Sequence, residues 1–483
     1  MQTADAGSSG ALERFFKFRQ WDTSIKRDTL AGLTTFMVMA YIIFVNPNIL
    51  NLGGDPAGLP FAAVLTSTCL VAGIMTILMG LVTNRAYAIA PGMGLNAVVA
   101  FSLVLGHGLT MASAMGLIVL EGVAITILVV TGFREAIFRA IPVELKKAIV
   151  IGIGFFILFV GLVNGGLIQA GGGTPVALVD LGDTPMVPLA VTVFGIGITI
   201  VMLALRWRAA ILLGIVFATV FAIIMNYAWG QDAGFLPGQA IIPTDIVATP
   251  DFSLIGAFDF GAFGKLGVTA AVLWIFSLML SDFFDTMGTL VGVGGQAGYL
   301  DEKGDLPQVN RPLLVDSVAA LAGGAVSASS ATTYIESGAG VAQGGRTGWV
   351  AVVVGVLFLV AMFFSPIFGV VPGQATAAAL VIVGYLMMAT LTKAESEASH
   401  EEAEPKAGID FGNLAFGLPA VLIITIMPLT YSITNGIGAG FIAYTLIRVV
   451  QGRAREVSWM LWAASIAFVI YFVFPWIQGQ GWA

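Results

Sequence analysis

Long apolar runs constrain this chain more than any other feature. Stretches of membrane-spanning length recur from residue 29 to residue 476, with no soluble domain between them. Only 10% of the 483 residues are charged, whereas a soluble domain carries about 25% charged residues. The runs are continuous, without the alternation of apolar and polar residues that a membrane β-barrel shows. The sequence therefore predicts an all-α polytopic membrane protein.

Hydropathy predicts fourteen membrane segments. They cover residues 29–48, 61–83, 87–105, 109–131, 143–164, 186–205, 208–228, 266–292, 312–328, 332–344, 347–371, 375–392, 415–430 and 433–450. A further apolar run, 457–476, is either a fifteenth crossing or an interfacial helix. Segments nine and ten are short and rich in Gly, Ser and Thr, which indicates that segment ten is a broken element.

The positive charges give the orientation. With fourteen segments, every Lys and Arg except Lys265 lies on the same side of the membrane as the N-terminus. Cytoplasmic loops carry an excess of Lys and Arg. We therefore expect a cytoplasmic N-terminal segment, residues 1–28, in a chain that lies in the cytoplasmic (inner) membrane.

Two acidic motifs interrupt the apolar sequence. One is SDFFDTMGT at 281–289, and the other is ATTYIESG at 331–338. A carboxylate at the centre of a membrane helix costs roughly 2.5–3.5 kcal/mol on insertion scales, so it is kept only where it faces a cavity, a partner or a ligand. Asp285 and Glu336 are therefore the first functional candidates, while Asp282, Glu121 and Asp316 are candidates for support.

An internal repeat accounts for the segment count. Two halves of seven segments have opposite orientations, as in inverted-repeat transporters. Residues 142–162 resemble residues 372–391 in their Pro, Ala, Ile and Gly spacing, and these are segments five and twelve. Segments three and ten are interrupted at 90–96 and 327–340 by Gly, Pro and small polar residues. Interrupted segments at corresponding positions indicate a transporter's binding site.

Other site types have little support. Cys69 is the single cysteine and lies in an apolar run, so no disulfide framework is expected. His107 and His400 do not have the spacing of a zinc site. We expect no metal, no cofactor and no nucleic-acid partner.

At these motifs the sequence resembles the nucleobase–cation symporter 2 family, in the AzgA-like branch of adenine, guanine and hypoxanthine permeases. The matching motifs occur in order along nearly the whole chain, at 30–36, 39–47, 90–97, 284–290, 332–337, 344–348 and 428–433. The resemblance implies a UraA-like fold of two inverted seven-helix repeats, in which segments three and ten contain short extended stretches.

The resemblance also implies a core domain and a gate domain. The core would combine 29–131 with 265–371, and the gate would combine 132–264 with 372–456, leaving 457–483 as a C-terminal apolar segment. Some members of this fold dimerise through the gate, so a homodimer is left open.

The resemblance selects three site residues. The family's acid on segment eight precedes a Gly by three residues, which here is Asp285 before Gly288. The acid on segment ten follows a Thr-Tyr pair, which selects Glu336. Asn96 matches a functional Asn of the purine branch. The uracil branch has a His where this chain has Thr289, which argues against a uracil-type site.

A purine base presents donors and acceptors around a flat ring, so its site needs convergent polar groups between apolar walls. Glu336 is the predicted anchor because a carboxylate accepts two adjacent donors, and the Asn96 amide both donates and accepts. Asp285, alone or with Glu336, is the predicted proton-coupling group. The remaining predicted contacts are Thr332, Thr333, Thr289, Gly94 and Phe284.

The predicted function is import of purine nucleobases by proton symport, with an elevator or rocking motion of core against gate. Na⁺ coupling is not excluded by the residues. The alternatives are a uracil or xanthine permease, an anion transporter of the same fold and an intramembrane aspartyl protease. The protease needs two Asp facing each other across helices, but Asp282 and Asp285 lie on one helix. Carboxylates on both core segments disfavour an anion site.

Overall fold

The computed structural model describes residues 11–132, 141–170, 174–180, 185–207, 209–229, 233–300, 306–397 and 409–479. Within these ranges the chain is mostly helical, as predicted. Nine helical stretches of the described residues are long and apolar enough to cross a membrane, and four shorter apolar helices accompany them. The chain is therefore a multi-pass membrane protein.

The helices follow the apolar runs of the sequence. They are α1 (Ala11–Phe16), α2 (Ile25–Met39), α3 (Ile42–Leu50), α4 (Phe61–Thr83), α5 (Met93–Ala97), α6 (Met111–Val130), α7 (Val143–Asn164), α8 (Met186–Ala204), α9 (Ala210–Ala228), α10 (Ala262–Leu266), α11 (Val268–Gln296), α12 (Asn310–Ala325), α13 (Ser337–Ala342), α14 (Gly348–Ala361), α15 (Ser365–Gly369), α16 (Gly373–Glu397), α17 (Leu414–Leu429), α18 (Ile433–Val450) and α19 (Trp459–Gly479).

Short elements interrupt this pattern. The strands are β1 (Ile89–Pro91), β2 (Ile168–Gln169), β3 (Ala177–Leu178) and β4 (Ala331–Thr333), paired as β1–β4 and β2–β3. A π-helix, Val98–Gly106, continues directly from α5. The 3₁₀ turns are Phe18–Trp21, Leu52–Gly54, Met362–Phe364 and Ala454–Glu456.

The helices pack as two groups, each mainly within itself. The first group contains α2, α3, α4, α6, α11, α12, α13 and α14 with strands β1 and β4. The second group contains α7, α8, α9, α16, α17 and α18. α19 packs on α18 and also touches α11, and α5 lies against both α3 and α7. The broken segment that contains α5 is therefore in contact with both groups.

Two glycines form a close contact between helices α7 and α16 of the second group. A Cβ on Gly154 of α7 would lie 2.8 Å from the carbonyl oxygen of Gly384 in α16, and a Cβ on Gly384 would lie 2.5 Å from the carbonyl oxygen of Gly154. Neither position has room for a side chain, so the two backbones meet directly, as small residues allow in membrane helices. The contact is reciprocal between two equivalent positions, each twelve residues after the proline that opens its resembling stretch.

Gly122 in α6 is the site of a similarly close contact in the first group. Its Cβ would lie 2.3 Å from the backbone nitrogen of Leu321 in α12, so Gly122→Ala should force the helices apart at a cost of about 1–3 kcal/mol. Gly197 in α8 has nothing within 4 Å of its Cβ position. Gly197→Ala is the matched control and should be neutral or slightly stabilising. Thermal denaturation in detergent measures the difference, and equal melting temperatures for the two variants would contradict this packing.

Candidate substrate-binding site

The two broken segments meet through their extended stretches. β1 and β4 pair antiparallel, with Ile89 opposite Thr333, Ala90 opposite Thr332 and Pro91 opposite Ala331. Proline disfavours the helical region for the residue before it, and the two threonines are β-branched. Local sequence therefore favours extended backbone at both places. α5 follows β1, and Glu336 immediately precedes α13 after β4.

Hydrogen bonds beyond the strands satisfy the backbone groups that unwinding frees. The Gly92 amide donates to the Ser330 carbonyl at 2.8 Å, and the Tyr334 amide donates to the Ala88 carbonyl at 2.9 Å. The Thr76 hydroxyl both accepts from the Ile89 amide and donates to its carbonyl, each at 2.9 Å. Non-helical backbone at membrane depth is tolerated only where it is paired in this way or lines a cavity.

Glu336 and Asp285 are near one another at this crossing. Both side chains are partly buried, and α11, which contains Asp285, packs against β4 and α13, the elements on either side of Glu336. The Tyr41 hydroxyl, on a residue with no exposed surface, donates a hydrogen bond to Oε1 of Glu336. That bond occupies one carboxylate oxygen and orients the group. The sequence predicts no role for Tyr41, whose available signal is that it is the single tyrosine of the apolar segment 29–48.

Asp316 of α12 accepts hydrogen bonds from threonines of α11 and β4. Its Oδ1 accepts from the Thr333 amide at 2.8 Å and from the Thr333 hydroxyl at 2.9 Å. Its Oδ2 accepts from the Thr286 hydroxyl at 2.6 Å, and the Thr286 and Thr332 hydroxyls are 2.7 Å apart. The hydroxyls of Thr332 and Thr333, both predicted as substrate contacts, are therefore hydrogen-bonded within the protein. Asp316 has the supporting position that its sequence context suggested.

Asn96 is buried without a hydrogen-bond partner. It lies in α5 with no exposed surface, and neither its Nδ2 nor its Oδ1 has a partner among the described residues. An orphaned buried amide costs about 1–3 kcal/mol, so the native structure needs a reason to keep it. A polar ligand that occupies the site and pairs with the amide is such a reason.

Three further residues were predicted to contact substrate: Gly94, Thr289 and Phe284. Gly94 faces the second helix group, where its Cβ would lie 3.3 Å from side-chain carbons of Ile153 and Ile433. Thr289 is buried. The side chain of Phe284 lies outside the described residues, as does His400. Among the described residues, no group of three or more His, Cys, Asp or Glu side chains could hold a metal ion.

Two buried asparagines provide a test of this interpretation. The Asn46 amide nitrogen donates to the Thr68 hydroxyl at 2.8 Å and to the Ala328 carbonyl at 3.0 Å. Asn46→Ala should therefore lower the melting temperature, because it removes two buried hydrogen bonds worth about 1 kcal/mol each. Asn96→Ala removes no side-chain hydrogen bond within the described part of the chain, so its melting temperature should stay near that of the parent chain while transport falls at least tenfold. A large loss of stability in Asn96→Ala would contradict a ligand-binding role.

This combination defines a class of protein. In this multi-pass membrane protein two interrupted segments cross one another, and two acids and an unpaired amide lie beside the crossing. This is the architecture of a transporter. The Permease family model, whose short name denotes xanthine and uracil permeases, matches residues 27–404. The chain therefore belongs to this permease family, the nucleobase–cation symporter 2 family, which confirms the resemblance and excludes the enzyme alternative.

Relatives with assigned names are similar over almost their whole length. The guanine/hypoxanthine permease PbuG of Bacillus subtilis is 38% identical, and the match covers 96% of this chain and 100% of that protein. The adenine permease AdeP of Escherichia coli is 37% identical, with 98% of each chain covered. The putative permease MJ0326 of Methanocaldococcus jannaschii is 39% identical over 96% of this chain and 98% of that protein.

Solved structures share the fold at low identity. The transmembrane domain of a cyanobacterial bicarbonate transporter, BicA, is 14% identical with a TM-score of 0.60, covering 86% of this chain and 97% of that one. The murine anion transporter Slc26a9 in its inward-facing state is 12% identical with a TM-score of 0.58, covering 93% of this chain and 74% of that one. At such identities the likeness concerns the fold alone.

Proposed function

We propose that this protein imports purine nucleobases. The observation that carries the proposal is the buried, unpaired amide of Asn96 beside the strand pair that also positions Glu336. An amide and a carboxylate together supply the donors and acceptors that the edge of a purine requires. The relatives named as guanine/hypoxanthine and adenine permeases support the same substrate class.

The proposed architecture has fourteen segments in two inverted repeats. The strand pair joins segments three and ten, which are equivalent in the two halves. Gly154 and Gly384, equivalent positions of segments five and twelve, meet reciprocally, as expected near a local two-fold axis. α4 packs with α14, which are segments two and eleven, and α12 packs with α6, which are segments nine and four. Each of these contacts is the counterpart of the other when the two halves are exchanged.

The two helix groups support the proposed domains and motion. The first group corresponds to the core domain, 29–131 with 265–371, and the second to the gate domain, 132–264 with 372–456. Asp285, Glu336 and Asn96 all lie on the first group or on α5, beside the face of α7. An elevator or rocking movement of the core against the gate would carry these residues across as one unit. A homodimer through the gate domain remains part of the proposal.

Proton symport is the proposed coupling. Burial and a neighbouring acid both disfavour the charged form of a carboxyl group, so Asp285, alone or with Glu336, is the proposed proton carrier. A loaded core would then cross without an uncompensated charge. Dissipation of the proton gradient by a protonophore should abolish concentrative uptake, while removal of Na⁺ should not. If uptake survives the protonophore but fails without Na⁺, the coupling ion is Na⁺ and not the proton.

The proposed location is the cytoplasmic membrane with the N-terminus inside. The single cation on the opposite side, Lys265, donates to the Gly108 carbonyl at 2.7 Å. The positive-inside rule supports this orientation.

Uptake of radiolabelled compounds in a transport-deficient host tests the substrate class. Adenine, guanine and hypoxanthine should accumulate well above the empty-vector control, whereas uracil, xanthine, sulfate and bicarbonate should not. Accumulation of uracil or xanthine alone would show instead that the protein is a uracil or xanthine permease. Accumulation of sulfate or bicarbonate would instead favour an anion transporter.

A further inference from the structure

The turn between α17 and α18 contains a tyrosine in an unusual conformation. Tyr431 has a φ of 50°, in the left-handed region that a bulky L residue rarely adopts and that persists only where the surroundings hold it. Three aromatic rings surround its side chain. The centroids of Phe101, Phe156 and Phe159 lie 5.8, 6.0 and 5.5 Å from that of Tyr431, all edge-to-face.

Polar contacts fix the same turn to the first helix group. The Ser102 hydroxyl donates to the Tyr431 carbonyl at 2.5 Å. Three residues further on, the Thr434 hydroxyl is hydrogen-bonded to that of Ser277 in α11. Phe101 and Ser102 belong to the π-helix that continues from α5, five and six residues after Asn96. At the α-helical rise that distance is at most about 9 Å along the axis.

Tyr431 also lines a cavity of about 400 Å³. It is partly open and is lined mainly by apolar side chains, with one amide, from residues that include Phe159, Val163, Gln169, Leu429 and Tyr431. These residues mark the C-terminal ends of α7 and α17. In the proposed orientation this is the outer side of the membrane. Tyr431 thus contacts both an outer cavity, large enough for a small aromatic molecule, and the π-helix that continues from the segment containing Asn96.

We propose that the turn at residues 430–432 is the outer gate of the transport path, closed in this structure, with Tyr431 as its moving part. The proposal rests on the proposed transport function. Opening requires the Tyr431 ring to leave Phe101 and its carbonyl to leave the Ser102 hydroxyl, which joins the outer cavity to the Asn96 site. The left-handed backbone assists opening, because the turn gains a commoner conformation when these contacts break.

Thiol labelling tests the gate without any nucleobase. Cys69 is the chain's single cysteine and has no exposed surface, so an introduced thiol reports with little background. Asn96→Cys in right-side-out vesicles should react slowly with a membrane-impermeant methanethiosulfonate added outside. Adding Tyr431→Ala should raise that rate at least tenfold. Because labelling requires no substrate, the gate can be upheld even if purine uptake fails, and the reverse also holds.

Matched variants identify which contact matters. Tyr431→Phe keeps the ring and the carbonyl, so the labelling rate should stay near that of Asn96→Cys alone. Tyr471→Ala removes a tyrosine of α19 that packs on Trp274 and is not one of the rings around Tyr431, so it should not raise the rate. Ser102→Ala removes only the hydrogen bond and should raise it severalfold, which keeps the test available if Tyr431→Ala does not fold. Val163→Cys, in the cavity, should label equally with and without Tyr431→Ala. An unchanged rate at Asn96→Cys in both Tyr431→Ala and Ser102→Ala would overturn the gate.

Discussion

Replacing Glu336 with Gln should reduce purine uptake at least about a hundredfold while the protein still folds. The substitution keeps an oxygen that can accept the Tyr41 hydrogen bond, so the side chain should stay in place. It removes the second acceptor and the negative charge, and it presents a donor to the donor edge of the base. Hydrogen bonds to charged groups are worth about 1.5–3 kcal/mol, and a mismatched buried group adds its desolvation cost.

Initial rates of adenine and guanine uptake, normalised to the amount of protein in the membrane, measure the loss. Asp285→Asn should be equally inactive, because Asp285 is the second acid of the site. Tyr41→Phe, which leaves the carboxylate but removes its orienting bond, should lose about tenfold. Asp245→Asn changes the net charge by the same amount at an exposed loop position and should transport normally. Full activity in both Glu336→Gln and Asp285→Asn would refute the assignment of the site.

Replacing Asp316 with Ala should instead destabilise the whole protein. The carboxylate accepts hydrogen bonds from the Thr333 amide, the Thr333 hydroxyl and the Thr286 hydroxyl. Alanine leaves a buried amide and two hydroxyls to find other partners in a low-dielectric environment, at about 1–3 kcal/mol for each group left unsatisfied. A total on the order of 3 kcal/mol or more should lower the melting temperature in detergent by several degrees.

Asp316→Asn keeps one acceptor and should lie between Ala and the parent chain. Asp245→Ala, at the exposed loop position, should leave the melting temperature unchanged. The order of the effects separates Asp316 from Glu336, since Glu336→Gln should lose transport without losing stability. A stable but inactive Asp316→Ala would show that Asp316 contacts substrate rather than supporting β4.

The sequence contained the local part of the site. Gly, Pro and small polar residues at 90–96 and 327–340 predicted interrupted segments, and strands lie at Ile89–Pro91 and Ala331–Thr333. The cost of carboxylates in hydrocarbon singles out the acids, whereas the family resemblance selects Asn96. Helix boundaries differed by a few residues, as at segment nine, which was predicted at 312–328 and forms Asn310–Ala325.

The long-range part of the site could not be read from the sequence. Thr332 and Thr333 were predicted to contact substrate because they flank Glu336, but their hydrogen bonds go to Thr286 and Asp316 on other helices. The partner of Tyr41 lies 295 residues away in the chain. Hydropathy and spacing describe one segment at a time, whereas these pairings depend on how helices are arranged around the crossing.

The pairing of β1 with β4 has a consequence for how the protein is made. Pro91 lies opposite Ala331, so about 240 residues separate the two strands along the chain. At about 5–20 residues per second, synthesis of that interval takes roughly 10–50 s. Throughout that time the first half is in the membrane without the partner of its strand, although Thr76 already holds both backbone groups of Ile89. The substrate site is therefore assembled late, because it can form only after the second half of the chain has been synthesised and inserted beside the first half.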